Sequence, residues 1–225
     1  MLIFPQALHI AGGIRMEEDL EGFRKYVAEN KGSRKFRQTV ELAINFRGID
    51  FTKQDNRLNM SILLPHGRGK ANKLTVFATD KDLIAKAERS KISVINGEEL
   101  DAISKDKVRL NSLLNYDLLA QPSLMPNIAK FLGQFLGPRG KMPKPLLGNV
   151  NMEEIANQMS RSVELKNKGK FLPTVHCVIG AEDMDADKIY ENVKEIVGSV
   201  SKKVGNNRIR SVYVKFTMSK PLRIM

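Results

Sequence analysis

The chain has 225 residues, enough for one large domain or two small ones, with 42% apolar and 28% charged residues. That composition fits an ordinary globular protein and excludes disordered and fibrous classes. Thirty-seven basic against 25 acidic residues give a net charge of +12, which calls for a polyanionic partner, and no apolar run approaches the roughly 20 residues that span a bilayer. Nucleic acid is therefore favoured over membrane.

Residues 1–15 read as an N-terminal extension or a mis-called start. Leu2 to Ile10 is the nearest thing to a signal sequence, but no positive residue precedes it and Pro5 interrupts it. Met16 is the better initiator. From there to Asn30, Leu20, Phe23 and Val27 recur at helical spacing, and Gly32 follows as a stop. Phe36 to Arg47 switches to period two, with Val40, Leu42, Ile44 and Phe46 on one face and Thr39, Glu41, Asn45 and Arg47 on the other. A second alternating run, Leu58, Met60, Ile62 and Leu64, ends at Pro65-His66-Gly67-Arg68-Gly69-Lys70.

Beyond that point the pattern becomes short strand then helix, three times over: Leu74–Phe77 before Asp80–Glu88, Ile92–Ile95 before Glu98–Ser104, Tyr116–Ala120 before Pro126–Phe131. Such repetition implies a small parallel sheet covered by helices. After the Gly- and Pro-rich stretch 137–148, alternating strands return at Val163–Lys170 and Thr174–Ile179. A helix follows with Ile189, Val193, Ile196, Val197, Val200 and Val204 in one stripe and Gly205 as its stop, and Ser211–Thr217 closes as a strand.

The fold class is therefore α/β: a discontinuous α+β domain from residues 16–66 and 153–225, holding an inserted, Rossmann-like domain at 67–152. Residues 66–156 carry 14 basic and 10 acidic side chains, the remainder 23 and 15. The two-ended domain holds most of the excess charge and is the expected RNA platform.

Gly67-Arg68-Gly69-Lys70 invites a phosphate-loop reading, but Ala71 follows the lysine and the glycine spacing is wrong. It reads better as an inter-domain hinge with Gly67 and Gly69 as the pliable points. Asp183, Asp185 and Asp187 imitate a calcium loop, yet Lys188 and Lys194 occupy its glycine and glutamate positions. They suit the start of a helix, capping free amides. The three histidines lie apart, and His176 and the single Cys177 point to opposite faces of a strand. No catalytic constellation, metal site or cofactor is expected, and one cysteine suits a reducing cytoplasm.

The chemistry that remains is RNA chemistry. Lys31, Arg34, Lys35, Phe36, Arg37, Gln38 and Thr39 bring cations, an aromatic face and hydroxyl or amide groups together. Lys166, Lys168 and Lys170 alternate along one strand, and Ser211, Tyr213, Lys215 and Thr217 line another. A solvated polar face is the other reading of each. Arg139, Lys141 and Lys144 lie in an exposed loop that either touches a second nucleic acid or connects elements.

Four segments in order, 35–43, 64–70, 136–143 and 212–218, resemble the family of universal large-subunit ribosomal protein one in its archaeal form. The resemblance covers nearly everything from Met16 onward. It implies a two-domain protein with an inserted second domain whose first domain binds large-subunit rRNA, building the mobile stalk beside the tRNA exit site. It further implies an association with departing tRNA and repression of translation from the protein's own messenger. By the family pattern Phe36, Thr39, Thr217 and Met218 are central RNA contacts, with Lys35, Arg37, Lys166, Lys168, Ser211 and Lys215 as weaker neighbours. The family usually continues Gly-Pro after Met218, whereas this chain has Ser219-Lys220-Pro221, so a contact needing close backbone approach would be redirected at Ser219. The rival from another class is a nucleotide-dependent enzyme using the inserted domain, since parallel sheets bind nucleotides at their strand ends.

Overall fold

The structure, a computed structural model, describes residues 18–69, 73–146, 151–167 and 172–225. The chain is a mixed α/β protein, and its described residues fall into two compact units. One comprises those up to Gly69 together with Ser162–Met225, the other those between Lys70 and Arg161.

In chain order the elements are α1 (Glu18–Asn30), β1 (Thr39–Phe46), β2 (Asn59–Leu63), β3 (Lys73–Ala78), α2 (Lys81–Arg89), β4 (Ser93–Asn96), α3 (Leu100–Lys105), α4 (Lys107–Leu113), β5 (Tyr116–Ala120), α5 (Met125–Leu136), β6 (Lys144–Pro145), α6 (Met152–Arg161), β7 (Ser162–Lys166), β8 (Thr174–Ala181), α7 (Ala186–Val204), β9 (Ile209–Phe216) and β10 (Leu222–Arg223).

The first unit has an antiparallel sheet in the order β10-β9-β1-β8. β8 and β9 are joined through α7 and run parallel with β1 between them, so the sheet is a split β-α-β arrangement. The period-two pattern of β1 dictates its orientation: Val40, Leu42, Ile44 and Phe46 are buried, while Thr39, Glu41, Ala43 and Asn45 stay partly open. The buried row joins Phe23 and Val27 of α1 and the α7 stripe of Ile189, Val193, Ile196, Val197 and Val200 in one core. Each of these α7 side chains contributes about 2 kcal/mol on burial. Gly205 ends α7 at φ 92°, which only glycine adopts without strain, and its N–H returns to the Ser201 carbonyl at 2.8 Å.

β2 and β7 form a separate two-stranded ribbon, with Ile62 opposite Val163 and Met60 opposite Leu165. The lysine-bearing strand expected at 163–170 thus ends at Lys166 and lies outside the four-stranded sheet. Asn167 follows it, still bonded to Leu58: its N–H donates to the Leu58 carbonyl at 3.2 Å and its side-chain oxygen accepts the Leu58 N–H at 2.7 Å.

The second unit is a parallel sheet ordered β4-β3-β5-β6. Both faces are covered, which explains the nearly unbroken apolar strands. Phe77, Leu118 and Ala120 face α3, α4 and α5, while Val76, Ala78 and Leu119 face Ala87, Leu146 and Met152. The boundary falls after α6, not at Met152 as the sequence suggests, because Met152, Ile155, Ala156 and Met159 pack against the second of these faces. The sequence also misses α4, whose start is capped by Asp106 accepting from Val108 N and Arg109 N. With Val108 79% exposed, that short helix shows little apolar periodicity.

Candidate nucleic-acid interface

The residues that sequence reading singles out around β1 and β9 meet at one end of the open sheet face. Thr217 sits just past β9, and its N–H donates to the Thr39 carbonyl at 3.1 Å. Its hydroxyl accepts the Thr39 N–H at 3.1 Å and donates to the Thr39 carbonyl at 3.3 Å. The hydroxyl thereby extends the β1–β9 ladder by one residue. Met218 follows with its side chain 58% exposed, and Phe36 is 50% exposed on the segment entering β1. Both leave large apolar surface in solvent beside an ordered junction.

Gln38, 1% exposed, joins the two segments. Its side-chain oxygen accepts the Met218 N–H at 3.1 Å, and its amide nitrogen donates to the Asn30 carbonyl and to Ser33 Oγ, both at 3.3 Å. Its own N–H donates to Glu182 Oε2 at 2.9 Å. Sequence reading offers the Gln38 amide to RNA, whereas here it is buried and bonded within the protein. Tyr26, Glu41 and His176 were not among the residues that reading singled out for RNA.

Arg34 and Lys35 are exposed and form no ion pair among the described residues. Arg37 differs: it holds Asp183 with contacts of 2.6–3.0 Å and donates to the Gly69 carbonyl at 2.7 Å. The Arg37 guanidinium in turn holds the Asp183 carboxyl below the usual aspartate range. The acids at the start of α7 therefore serve ion pairs rather than side-chain capping: Asp185 stands at the N-cap without a side-chain capping bond and lies 2.9 Å from Lys188, and Asp187 in the first turn takes Arg24 at 2.7 and 2.9 Å.

Along the rest of the open face, Glu41, Asn45, His176, Tyr213, Lys215 and Pro221 line a hollow of about 290 Å³. Glu41 and Lys215 are direct cross-strand neighbours. Ser211 is on this side but only 6% exposed, contrary to its expected outward, accessible position. Thr174 Oγ1 donates to Asn45 Oδ1 at 2.9 Å and Asn45 Nδ2 donates to Ser211 Oγ at 3.0 Å, a bonded row across three strands that covers it. Cys177 packs toward the core, where burial pushes its thiol up to about 12.

Lys166 is on the β2–β7 ribbon, 2.8 Å from Glu164, and Lys168 and Lys170 lie outside the described residues. Gly67 and Gly69 have φ of 66° and 72°. Asn192, fully buried, donates to the Gly67 and Ile179 carbonyls at 2.8 Å each and accepts the His66 N–H at 3.1 Å, while the His66 ring pairs with Glu191. At Gly69 a Cβ would come within 2.6 Å of Met184 Sδ and 3.0 Å of Ala181 Cβ, so a side chain there displaces Met184 and strains a backbone held at positive φ.

In the second unit, Arg139 stacks 3.9 Å from the Phe135 ring and donates to the Phe135 carbonyl at 2.8 Å, which leaves it exposed in a fixed pose. Lys141 turns to the Tyr116 carbonyl at 3.3 Å and Asp117 at 3.6 Å, and Lys144 is half-buried on β6. The β3 strand end, where a nucleotide phosphate would bind, is filled from within. Gln121 Oε1 accepts from Thr79 N at 3.1 Å, Asp80 N at 3.3 Å and Thr79 Oγ1 at 3.2 Å. The amides that the enzymatic reading requires are already bonded. Among the described residues no cluster of three His, Cys, Asp or Glu is placed to hold a metal, and no helix is long and apolar enough to cross a membrane.

Comparison with known proteins agrees with this geometry. The family model described as "Ribosomal protein L1p/L10e family" matches residues 26–220. The protein of Thermococcus kodakarensis named large ribosomal subunit protein uL1 is 38% identical over 196 residues, spanning 85% of this chain and 89% of that one. Its namesake in Archaeoglobus fulgidus is 38% identical over 201 residues, 88% of this chain and 93% of its own. That of Methanothermobacter thermautotrophicus is 34% identical over 215 residues, 93% and 100%. The chain belongs to the ribosomal protein L1p/L10e family, and so to the large-subunit ribosomal proteins rather than to any family of enzymes.

Proposed function

We propose that this chain binds large-subunit rRNA directly through its first unit and builds the mobile stalk beside the tRNA exit site. One observation supports the reading: exposed Phe36 and Met218 flank the bonded Thr39–Thr217 junction at the end of the sheet face on which Thr39, Glu41, Ala43 and Asn45 stay partly open. Arg34 and Lys35 supply phosphate contacts next to it, and the hollow with Tyr213, Lys215 and Glu41 suits a base or ribose edge. Arg37 belongs to this surface through its place in the loop, although it must exchange Asp183 for phosphate. Ser219 takes part through the turn it closes. Lys166, Lys168 and Lys170 would extend the phosphate contacts away from the junction.

Gly67 and Gly69 form the joint to the inserted unit. Arg139, in its stacked pose, is the strongest of the second-unit RNA contacts, with Lys141 and Lys144 as neighbours. The same first-unit surface binds the protein's own messenger as a repressor, and the stalk assists release of deacylated tRNA, all in the cytoplasm. Co-sedimentation tests the assembly: the protein should travel with large subunits and leave them in high salt. A protein wholly free of the large subunit in the same lysate contradicts the reading.

A further inference from the structure

The turn that ends β9 is tied to α1 by a chain of hydrogen bonds. Phe216 N–H donates to Ser219 Oγ at 2.9 Å, Ser219 Oγ lies 2.5 Å from Tyr26 Oη, and Tyr26 Oη lies 2.7 Å from the Lys220 carbonyl. Each hydroxyl has one hydrogen to give. Both hydroxyls reach the Lys220 carbonyl, Ser219 Oγ at 3.2 Å, so either one can donate the short contact while the other donates to the carbonyl, and Ser219 accepts from Phe216 in both cases. In either order every member is satisfied, and such chains strengthen their members.

Around this chain the packing is equally fixed. The Tyr26 ring lies against Phe216 with centroids 5.8 Å apart, and Ser219 N–H donates back to the Phe216 carbonyl at 3.2 Å. Ser219 needs no left-handed backbone to do this, since Lys91 is the one non-glycine residue with positive φ among those described. On the other side, buried Gln38 accepts the Met218 N–H. Residues 217–219 are thus held from both sides, in part by a helix residue 193 positions distant from Ser219.

We propose that Tyr26 is a positioning residue for RNA recognition: acting through Ser219, it holds the Thr217–Met218 turn in the form that meets RNA. The proposal rests on the RNA-binding reading given above. A turn ordered beforehand loses less freedom on binding, and that advantage is expressed mainly as slow dissociation. Tyr26 acts through the turn, so its removal loosens recognition and leaves phosphate attraction intact.

The test uses the full chain, the stalk-forming fragment of large-subunit rRNA, and an unrelated RNA duplex of equal length. Tyr26→Phe keeps the ring on Phe216 and removes only the hydroxyl, and Ser219→Ala breaks the same chain at its neighbour. Each variant should bind the stalk fragment about 5- to 10-fold more weakly, the worth of one hydrogen bond, through faster dissociation. Duplex binding should stay within about twofold, and the double variant should be no weaker than either single one. Hydrogen exchange at the Met218 amide should quicken in Tyr26→Phe. Unchanged stalk affinity in Tyr26→Phe, equal losses on both RNAs, or losses that multiply in the double variant overturn the proposal alone. Wild-type protein with no preference for the stalk fragment overturns the RNA reading itself, and the proposal with it, before any variant is measured.

Discussion

Thr217 completes the edge of β1 by giving its N–H and hydroxyl to the Thr39 carbonyl and taking the Thr39 N–H in return. Removing the hydroxyl in Thr217→Ala leaves that N–H without its partner and frees the turn beside Met218. Binding to the stalk rRNA fragment should fall about 10-fold, the worth of a hydrogen bond, with a far smaller loss on non-specific duplex. Titrations of both RNAs check this, and equal losses would remove Thr217 from the recognition surface.

Phe36 and Met218 present the opposite case, because both are more than half exposed or close to it and support little of the fold. Phe36→Ala and Met218→Ala should change stability by no more than about 0.5 kcal/mol. RNA affinity should drop by about 1–3 kcal/mol at Phe36, as expected when an aromatic stacking partner is lost. Paired urea unfolding and RNA titration separate the two effects.

Lys35 has no ion-pair partner among the described residues, so its charge is available to phosphate. Lys35→Ala should lower the slope of log affinity against log salt by about 1 and weaken all RNAs alike. Measuring affinity over a series of salt concentrations checks the slope directly.

The Arg37–Asp183 pair predicts a pH response. Hydrogen bonding from Arg37 lowers the folded-state pKa of Asp183, so its stabilisation is present above the unfolded value of about 3.9 and fades as pH falls through the lower folded one. The pair is well exposed, and its energetic contribution is correspondingly screened. Carboxyl NMR should find Asp183 titrating below an ordinary aspartate, and Arg37→Ala should bring it back up.

Asn192 offers a test of the core beneath the Gly67 turn. Asn192→Ala would leave the Gly67 and Ile179 carbonyls and the His66 N–H without their present partners, at about 2–4 kcal/mol of stability. Urea unfolding followed by a probe in the first unit measures it.

Much of this architecture was legible in the sequence because period-two and helical stripes survive as buried rows, as in β1 and α7. The ordered motifs carried the family, and the bonded geometry at Thr39 and Thr217 agrees with their pairing. What the sequence hid was the spending of polar groups on one another. Arg37 looked like a free cation until Asp183, 146 residues away, folded beside it. Ser211 looked outward until Asn45 and Thr174 bonded across it, and Tyr26 and Gln38 carried no local signal of their links to the β9 turn. The α4 helix and the attachment of α6 to the second unit were hidden for a related reason: in short helices a few apolar residues choose their partner only through tertiary packing.

The most direct measurement is a competition titration of the wild-type chain between the stalk-forming fragment of large-subunit rRNA and an unrelated duplex of equal length, at fixed near-physiological salt. The surface built from Phe36, Thr39, Thr217 and Met218 predicts a preference of about a thousandfold for the stalk fragment, the low end of specific over non-specific nucleic-acid binding. Equal affinity for the two RNAs would contradict the account.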